Sequence, residues 1–593
     1  MIRGVLRFIF STFFWLCSAI GFILIALVFA LYLGGVGPFS PSLKPLKNNS
    51  VLSITLNGTY VEHTDSRGIE SLLLGKNASL YELTQGILRA ASDDKIKGIV
   101  IRIESPSLGT AQLQELREAI ISFRQSGKPS WCYADSYGES SSGTGLYYLA
   151  TACDEIWLQP LGGVNLIGIN IEVPFGKAAF EKLDVKPEIA QRKEYKSFVE
   201  MFTRDDFSEA SRQSQQAIAD SILDQVVEGI SQERKISPDR VRHLIANGPY
   251  LTEESLKEKL VDRIDYRQAL FPAIQERLGQ HVSFVGIRAY SQSIPQVHVE
   301  NKVALIFGSG MIQREGTPSL KSEMVISSNS TYKAFQLAVE DPEVKAIVYR
   351  INSGGGSPVA SETIYNVIQY AKETAKKPVI ISMSDAAASG GYWLSLAGTK
   401  IIAQPATLTG SIGAFGGKFI FAGLLERLGV HIGNISTSDN ATMWSFTQSF
   451  NPVQWGKLNM LMDEIYDTFT HKVVQDRHLT LEQVEKVARG RVWTGEQALA
   501  LGLVDQLGGL QTAIEAAKQE AGLSGQAEVV IYPTPKTFIE TLTSLFEETE
   551  DDSLHQVGIF EAFIYPFRKI MKIFSVMVSS PEMLEASLGE VKL

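Results

Sequence analysis

Residues 342–352 of the chain read PEVKAIVYRIN, and residues 94–104 read DKIKGIVIRIE. In each stretch an acidic turn leads into an apolar run rich in β-branched residues. Such a run predicts a buried strand of a parallel sheet, because a strand that is covered on both faces has no polar side. The same pattern at two places indicates that one strand, with its surroundings, occurs twice.

Two further pairs of stretches follow in the same order. LYYLATACDEIWLQP at 146–160 matches GYWLSLAGTKIIAQP at 391–405, a shift of 245 residues, and KLVDRIDY at 259–266 matches GLVDQLGG at 502–509. In both copies amphipathic helices alternate with β-rich runs, which is the pattern of an α/β unit. The alternative is chance similarity between α/β patterns, which three matches in one order disfavour. The sequence therefore predicts a tandem repeat of one α/β domain.

This repeat divides the chain into four expected segments. They are an anchor and linker at 1–47, a first α/β copy at 48–295, a second α/β copy at 296–525 and a C-terminal extension at 526–593. The extension has no counterpart in the first copy. Its run 560–578 mixes apolar and basic residues, so packing against the body and lying on a membrane both stay open.

The N-terminal region predicts a membrane anchor. Residues 8–33 (FIFSTFFWLCSAIGFILIALVFALYL) are almost wholly apolar, and about 20 such residues cross a hydrocarbon core of about 30 Å. Arg3 and Arg7 precede the run and the next charged residue is Lys44, so the positive-inside rule favours a cytoplasmic N-terminus. We expect one pass through the lipid bilayer of the plasma (inner) membrane, with the body on the periplasmic, extracytoplasmic side. A buried core helix is the alternative.

Composition excludes several classes of function. The net charge of −10 argues against a nucleic-acid partner. The chain has only three cysteines, which is too few for a disulfide-rich scaffold, and none of them forms a CxxC pair that could bind zinc. Whether Cys132 and Cys153 form a disulfide stays open. There is no H-E-x-x-H motif, no Walker A loop and no ligand spacing among the eight histidines. We therefore expect no metal, no cofactor and no use of ATP.

Two glycine-containing turns of the second copy are candidates for chemistry. Ser389 lies between a strand-like run and an apolar run, so it is expected at a strand-to-helix turn, where its hydroxyl is exposed and helix N–H groups converge. The glycines of 352–357 (NSGGGS) would let a ligand approach the backbone closely. For each cluster taken alone, a structural role is favoured over catalysis, namely a helix N-cap for Ser389 and a tight turn for the glycines.

Taken together, these motifs resemble those of the S49 family of Clp/crotonase-like serine proteases, in its long, two-copy form. The matching stretches are NSGGG at 352–356, ASGGYW at 388–393, LTGSIG at 408–413 and VWTGEQALALGLVDQLGG at 492–509. Gly354 replaces the proline that is usual in this family, which loosens the backbone without removing an N–H donor. The resemblance implies two Clp/crotonase-like domains behind the anchor, and a serine protease whose base is a lysine.

The position of that lysine follows from the resemblance. Between Lys418 and Lys457 the second copy has no lysine, whereas the first copy carries Lys193 and Lys196 in QRKEYKSFVE. The residues alone do not distinguish these two. In the long members of the family the base belongs to the first copy and lies in a Y-K-S context, which matches Lys196. Conversely, Thr144 of the first copy falls near the position of Ser389. The first copy has therefore kept the lysine but not the serine, and the second copy has kept the serine but not the lysine.

The resemblance therefore implies a Ser389 nucleophile and a Lys196 base. The amides of Gly356 and Gly390 are expected to hold the oxyanion, and Ser411 is expected to orient the lysine, although a structural turn serine is the alternative for Ser411. Because a lysine is a poor base near neutral pH unless its pKa is depressed, Lys196 is expected to be buried.

The resemblance also implies substrates and assembly. The expected substrates are cleaved signal peptides and other apolar peptides, and the expected assembly is a homotetramer with a bowl-like interior that faces the membrane. Two alternatives stay open: a crotonase-like acyl-CoA hydratase or thioesterase, and a non-catalytic membrane scaffold with a degenerate site. The exported body argues against the first, because CoA is cytoplasmic, and the intact set of Ser389, Lys196 and GSIG argues against the second.

Overall fold

Two largely parallel β-sheets organise the part of the chain that the computed structural model describes. The described residues are 46–64, 79–279, 281–293, 299–314, 325–523 and 527–534. The chain divides into two units, one of Met1–Thr64 with Lys76–Thr534 and one of Asp65–Gly75 with Pro535–Leu593. All described residues belong to the first unit. The predicted membrane span at 8–33 and the C-terminal extension after residue 534 lie outside the described residues.

The elements before residue 294 belong to the first copy. Its strands are β1 (Ser50–Thr59), β2 (Ile96–Ser107), β3 (Ser130–Ala134), β4 (Glu155–Leu158), β5 (Gly163–Val164), β6 (Lys186–Arg192), β7 (Tyr250–Leu251), β8 (Arg263–Ile264) and β9 (Ser283–Gly286). Its α-helices are α1 (Leu80–Ser92), α2 (Thr110–Gln125), α3 (Thr144–Ala150), α4 (Lys177–Lys182), α5 (Glu200–Thr203), α6 (Glu209–Arg234), α7 (Pro238–Asn247), α8 (Thr252–Lys257), α9 (Arg267–Leu278) and α10 (Ile287–Ser293).

The elements after residue 300 belong to the second copy. Its strands are β10 (Lys302–Ser309), β11 (Met311–Gln313), β12 (Val325–Ser327), β13 (Val344–Ser353), β14 (Val379–Ala388), β15 (Lys400–Ala403), β16 (Leu408–Gly410), β17 (Ala414–Ile420), β18 (Val492–Thr494), β19 (Gln506–Leu507) and β20 (Glu528–Ile531). Its α-helices are α11 (Ser328–Glu340), α12 (Pro358–Gln369), α13 (Gly390–Ser395), α14 (Ala422–Arg427), α15 (Pro452–Arg477), α16 (Leu481–Val487), α17 (Gly495–Ala500) and α18 (Leu510–Glu520).

The two large sheets have the same strand order. The first runs β8-β4-β3-β2-β1-β9, and the second contains the corresponding series β19-β15-β14-β13-β10-β20. The predicted end of the second copy at residue 525 is therefore wrong, because β20 lies beyond it, pairs with β10 as β9 pairs with β1, and so gives the start of the predicted extension 526–593 a counterpart in the first copy. Every pair within these two series is parallel. The second sheet also carries β16 beside the end of β14, with β18 antiparallel to β16. The predicted mixed α/β fold is thereby confirmed.

The quoted apolar runs form the centres of these sheets. β2 and β13 bury nearly all their apolar side chains, and helices cover them to form a separate hydrophobic core in each copy. Helix α1 begins at a capping box, in which the side chains of Ser79 and Glu82 each accept a hydrogen bond from the other residue's backbone amide. In the first copy a disulfide joins Cys132 to Cys153.

A buried arginine links the two copies. Arg350 of β13 is 1% exposed, and its guanidinium contacts Glu62 Oε2 at 2.8 Å and Glu115 Oε2 at 2.6 Å, both from the first copy. It also donates to the Ser382 hydroxyl and the Met383 carbonyl of β14. Because a buried charge is tolerated only when it is paired and hydrogen-bonded, this cluster fixes the first copy against two strands of the second.

An antiparallel ribbon forms a second link between the copies. β6 of the first copy pairs with β17 of the second, with Arg192 opposite Ala414 and Lys186 opposite Ile420. This ribbon directs the residues that follow β6 toward the end of β14.

In the described part of the chain, no helix is both long and apolar enough to cross a membrane.

Candidate active site

Ser389 occupies a strained turn between a strand and a helix. β14 ends at Ala388 and α13 begins at Gly390, and Ser389 between them has φ of +54° and ψ of −119°. A non-glycine residue adopts positive φ only where its surroundings enforce it, often at functional sites. Here its amide donates to the Gly410 carbonyl at 2.9 Å and its carbonyl accepts from Trp393 N at 2.9 Å. Its side chain forms no cap hydrogen bond, so the hydroxyl is available for another partner.

That partner is the amine of Lys196. The Lys196 Nζ lies 2.9 Å from Ser389 Oγ, 2.8 Å from the Ser411 carbonyl oxygen and 3.0 Å from Ser411 Oγ. Lys196 follows β6 and is therefore contributed by the first copy, whereas Ser389 and Ser411 belong to the second. The structure thus brings Lys196 into contact with two serines that lie about two hundred positions later in the sequence.

Burial controls the charge of Lys196. The residue is only 4% exposed, and burial lowers its pKa to about 7 from an ordinary value of 10.5. No carboxylate of the described residues forms an ion pair with it. Removal of an ammonium group from water disfavours the charged form, and nothing charged offsets that cost here. A substantial fraction of Lys196 is therefore a neutral amine near pH 7.

Ser411 presents two acceptors to the lysine because of its own turn. Its φ is +52°, and its amide donates to the Arg491 carbonyl at 2.8 Å. This conformation directs both its carbonyl oxygen and its hydroxyl toward Lys196 Nζ. The predicted association of Ser411 with the lysine is therefore present in the geometry.

Lys193, which the residues alone could not separate from Lys196, lies elsewhere. Its amine lies 5.2 Å from the centroid of the Tyr466 ring, and no hydrogen bond to Ser389 is formed. Of the two lysines of the QRKEYK stretch, only Lys196 contacts the candidate nucleophile.

The glycine loop packs directly against the serine turn. Gly355 has φ of +112°, and a Cβ there would lie 2.8 Å from Ser389 Cβ and 2.9 Å from Gly390 N. A Cβ on Gly390 would in turn lie 3.2 Å from Gly356 N. Among the described residues, no group accepts a hydrogen bond from the amide of Gly356 or of Gly390. Two unpaired N–H groups therefore flank Ser389, as an oxyanion-binding site requires.

A cavity of about 640 Å³ opens over this arrangement. Its polar lining includes Lys196, Ser389 and Ser411 together with the backbone of Gly356 and Gly390. The rest of the lining is largely apolar and aromatic and comes from both copies: Val173, Phe175, Phe198, Met201, Phe207, Met311, Phe415, Trp393, Leu408, Ile465, Phe469 and Val492. Such a cavity favours an apolar chain over a charged one.

Gly490, which the sequence analysis does not single out, lies directly against the backbone of Lys196. Its φ is +86°, and a Cβ at this position would lie 2.4 Å from the backbone nitrogen of Lys196. The preceding carbonyl, of Arg489, accepts a hydrogen bond from Tyr195 N at 3.1 Å. Gly490 therefore allows the second copy to hold the backbone of Lys196. Nothing in the stretch ARGRVW marks this glycine, because the contact it permits spans almost three hundred residues.

Thr144 shows what the first copy has at the corresponding position. It begins α3, and its hydroxyl donates to the Gly168 carbonyl at 3.1 Å and accepts from Ile167 N at 3.2 Å. The side chain is thus occupied by its own loop. Among the described residues, no lysine forms a hydrogen bond with the Thr144 hydroxyl.

Comparisons with known proteins identify a peptidase family that matches more than half of this chain. The model of peptidase family S49 matches residues 122–280 and 371–524. Protease 4 of Salmonella typhi is 34% identical over 460 residues, which cover 75% of this chain and 72% of the relative. Protease 4 of Haemophilus influenzae is 29% identical over 583 residues, with 93% and 92% covered. The chloroplastic serine protease SPPA of Arabidopsis thaliana is 29% identical over 512 residues, with 84% and 73% covered.

Proposed function

The chain belongs to peptidase family S49 and is a serine peptidase, and from this premise we propose that it is a membrane-anchored endopeptidase whose nucleophile is Ser389 and whose base is Lys196. The observation that carries this proposal is the 2.9 Å contact between Nζ of the buried Lys196 and Oγ of Ser389, which lines the cavity.

The contacts of Lys196 suit a neutral amine. A neutral amine has two N–H donors and one lone pair. The donors face the carbonyl oxygen and the hydroxyl of Ser411, which leaves the lone pair to accept the proton of Ser389. Ser411 thus acts as a positioning residue that aims the lone pair at the nucleophile.

The reaction then follows from these positions. Lys196 removes the proton from Ser389 Oγ as that oxygen attacks the carbonyl carbon of the peptide bond, and the amides of Gly356 and Gly390 donate to the oxyanion. The Lys196 ammonium next gives its proton to the leaving nitrogen, and the C–N bond breaks to leave an acyl-enzyme ester. Lys196 then deprotonates a water molecule that attacks the ester, and the proton returns to Ser389 Oγ as the acid product leaves.

We propose cleaved signal peptides and other apolar peptides as substrates. The apolar lining of the cavity supports this, as does the resemblance to the long, two-copy members of the family. We further propose that residues 8–33 anchor the chain in the plasma membrane, with the body on the extracytoplasmic side, and that the chain assembles as a homotetramer. An anchor would hold the site near apolar peptides at the membrane surface and raise their effective concentration. Cleavage would need no ATP.

A fluorophosphonate probe tests the proposed nucleophile. The full chain in mild detergent should be labelled covalently on one serine, and peptide mapping should place the label on Ser389. Ser389→Ala should abolish labelling, and Lys196→Ala should slow it strongly because Oγ loses its base. Labelling of another serine in the wild-type chain would overturn the assignment. Retention on immobilised CoA without labelling would favour an acyl-CoA enzyme instead.

A further inference from the structure

Arg491 contacts two aromatic rings at the edge of the candidate active site. Its neighbours in the chain, Gly490 and Val492, both line the cavity. The guanidinium carbon lies 4.2 Å from the centroid of the Trp493 ring and 5.3 Å from the centroid of the Tyr195 ring. Its Nε is buried without a hydrogen-bond partner, and the guanidinium forms no ion pair with any described residue. Cation–π contacts therefore hold this side chain in place.

The two rings belong to different copies. Trp493 lies in β18, which pairs with β16 of the second copy, and its indole N–H donates to the Val487 carbonyl at 2.8 Å. This ring is therefore fixed on the second sheet. Tyr195 belongs to the first copy and directly precedes Lys196. Arg491 thus connects a fixed ring of one copy to the loop that carries the lysine of the other.

The backbone of Arg491 holds a second part of the site. Its carbonyl oxygen accepts a hydrogen bond from the Ser411 amide at 2.8 Å, and Ser411 supplies the two oxygens that face Lys196 Nζ. One residue therefore supports the Ser411 turn through its backbone and the lysine loop through its side chain. Displacement of Arg491 would alter both at once.

The lysine loop needs support from outside because the ribbon ends before it. β6 ends at Arg192, and Lys196 lies four residues later, ahead of a short 3-10 helix at Ser197–Val199. The position of its amine therefore depends on contacts that the loop makes with the second copy. The Tyr195 ring is the side chain of this loop that Arg491 contacts.

Aromatic rings offer an advantage over a carboxylate at this position. A carboxylate beside Lys196 would stabilise the ammonium form, whereas the reaction needs the neutral amine. Rings hold the Arg491 guanidinium without adding a negative charge. The nearby Arg489 differs, because it pairs with Glu194 at 2.8 Å while both side chains are largely exposed to solvent, which weakens such a pair.

We propose that Arg491 is a positioning residue, which acts through the Tyr195 ring to keep Lys196 within hydrogen-bond distance of the nucleophile. This inference deepens the proposed function and rests on its serine and lysine chemistry. Arg491 itself touches neither the substrate nor the reacting atoms in this account.

Substitution of Arg491 in the full chain in mild detergent tests this proposal. Arg491→Met keeps the length of the side chain but removes the cation. The value of kcat for a short apolar peptide should fall at least about tenfold, because a displaced base costs rate, and KM should stay within about twofold because the cavity is intact. Arg491→Lys keeps a cation without the planar group that stacks on rings, so its kcat should lie between those of Arg491→Met and wild type.

Arg489→Met is the matched control. It removes an arginine that also contacts the lysine loop, but through an exposed ion pair with Glu194, so kcat should stay within about twofold of wild type. Equal losses in Arg489→Met and Arg491→Met, or a wild-type kcat in Arg491→Met, would overturn the proposal.

Fluorophosphonate labelling separates positioning from folding. The final extent of labelling counts the folded chains, whereas the rate constant measures the reactivity of Ser389 Oγ. Arg491→Met should reach the extent of wild type with a rate constant at least about tenfold lower. A wild-type rate constant with a reduced extent would show that Arg491 only stabilises the fold, and the proposal would be wrong.

Tyr195 variants test the route through the ring. Tyr195→Leu should lower the labelling rate about as much as Arg491→Met, and the double variant should be no slower than the slower single one, because both changes remove one contact. Tyr195→Phe keeps the ring and should retain at least about a third of the rate. Losses that multiply in the double variant would contradict a shared route.

Lys196→Ala, measured with the same probe, keeps this inference apart from the proposed function. Labelling of Lys196→Ala at the wild-type rate would overturn the lysine base, and the role of Arg491 with it. Slow labelling of Lys196→Ala together with a wild-type rate for Arg491→Met would overturn the role of Arg491 alone.

Discussion

Lys196 combines two properties that are rarely found together in a lysine. It is almost fully buried, and no carboxylate in the described part of the chain pairs with it. Lysines are seldom buried without a partner, because the ammonium loses hydration. This arrangement costs stability when the amine is charged, so we interpret it as a feature retained for chemistry and not for the fold.

Substitution of the two central residues gives the first prediction. Ser389→Ala and Lys196→Ala should each lower kcat/KM for an apolar peptide by at least about 10³-fold, because nucleophile and base act as one unit. The double variant should be no worse than either single one. Lys193→Ala is the matched control, since its amine faces the Tyr466 ring, and its activity should stay within about threefold of wild type. The reverse result, with Lys193 essential, would refute the assignment of the base.

The pH dependence of activity gives the second prediction. Burial lowers the pKa of Lys196 to about 7, and only the form without the proton can accept one from Ser389. Activity in kcat/KM should therefore rise through a limb centred near pH 7 and level off above it. A limb near pH 10, where an ordinary lysine titrates, or a flat profile between pH 6 and 10, would contradict a buried lysine base.

Several elements could be predicted from sequence because their signals are local. The apolar runs that became β2 and β13 and the strand-to-helix turn at Ser389 depend on nearby residues alone. The β6–β17 ribbon could not be predicted, because PEIAQ and FGGKF carry no mark of their partner across more than two hundred residues. The residues alone do not distinguish Lys196 from Lys193, and only the family resemblance favours Lys196. The two lysines differ in position, because the ribbon directs Lys196 toward Ser389 and leaves Lys193 beside the Tyr466 ring.

Substitution of Gly490 tests how the second copy positions the backbone of Lys196. In Gly490→Ala the new Cβ would lie 2.4 Å from Lys196 N, and the positive φ adds strain. The lysine must shift, and a displacement near 1 Å can cost about 10²-fold in rate. We expect kcat to fall by that order while KM changes little, as measured on a short apolar peptide. Gly456→Ala in α15, where a Cβ meets open space, should keep full activity.

Arg350 gives a stability prediction for the contact between the copies. Arg350→Met would leave Glu62 and Glu115 buried without their cation, and loss of one partner of a buried ion pair typically costs about 3–5 kcal/mol in the free energy of unfolding. Denaturant titration should show this loss, and adding Glu62→Gln and Glu115→Gln should recover part of it. Arg102→Met is the control, because its ion pair with Glu104 is partly exposed and should contribute less than about 1 kcal/mol. Equal losses at both arginines would argue against the buried cluster as the link.

At the scale of the whole molecule, the active site combines a lysine of the first copy with a serine of the second, and this combination depends on the covalent connection between the copies. The nucleophile and the base lie in different copies, yet the ribbon that joins them is formed within one chain. Linked copies meet at a high effective concentration, which a second chain cannot easily match. The connection therefore favours a site completed within each chain, even in an assembly.

Mixing inactive variants tests this conclusion. Chains with Ser389→Ala retain Lys196, and chains with Lys196→Ala retain Ser389, so a site shared between chains would regain activity when the two are co-assembled. We expect recovery below about 1% of wild type, because the ribbon that brings Lys196 to Ser389 is formed within one chain, where linkage gives the two copies a high effective concentration. Co-assembly is verified by purifying the mixture through a tag on one variant and detecting the other. Recovery of a quarter of the wild-type activity or more in verified mixed assemblies would show that β6 and β17 exchange between chains, and the site would then belong to the assembly and not to the single chain.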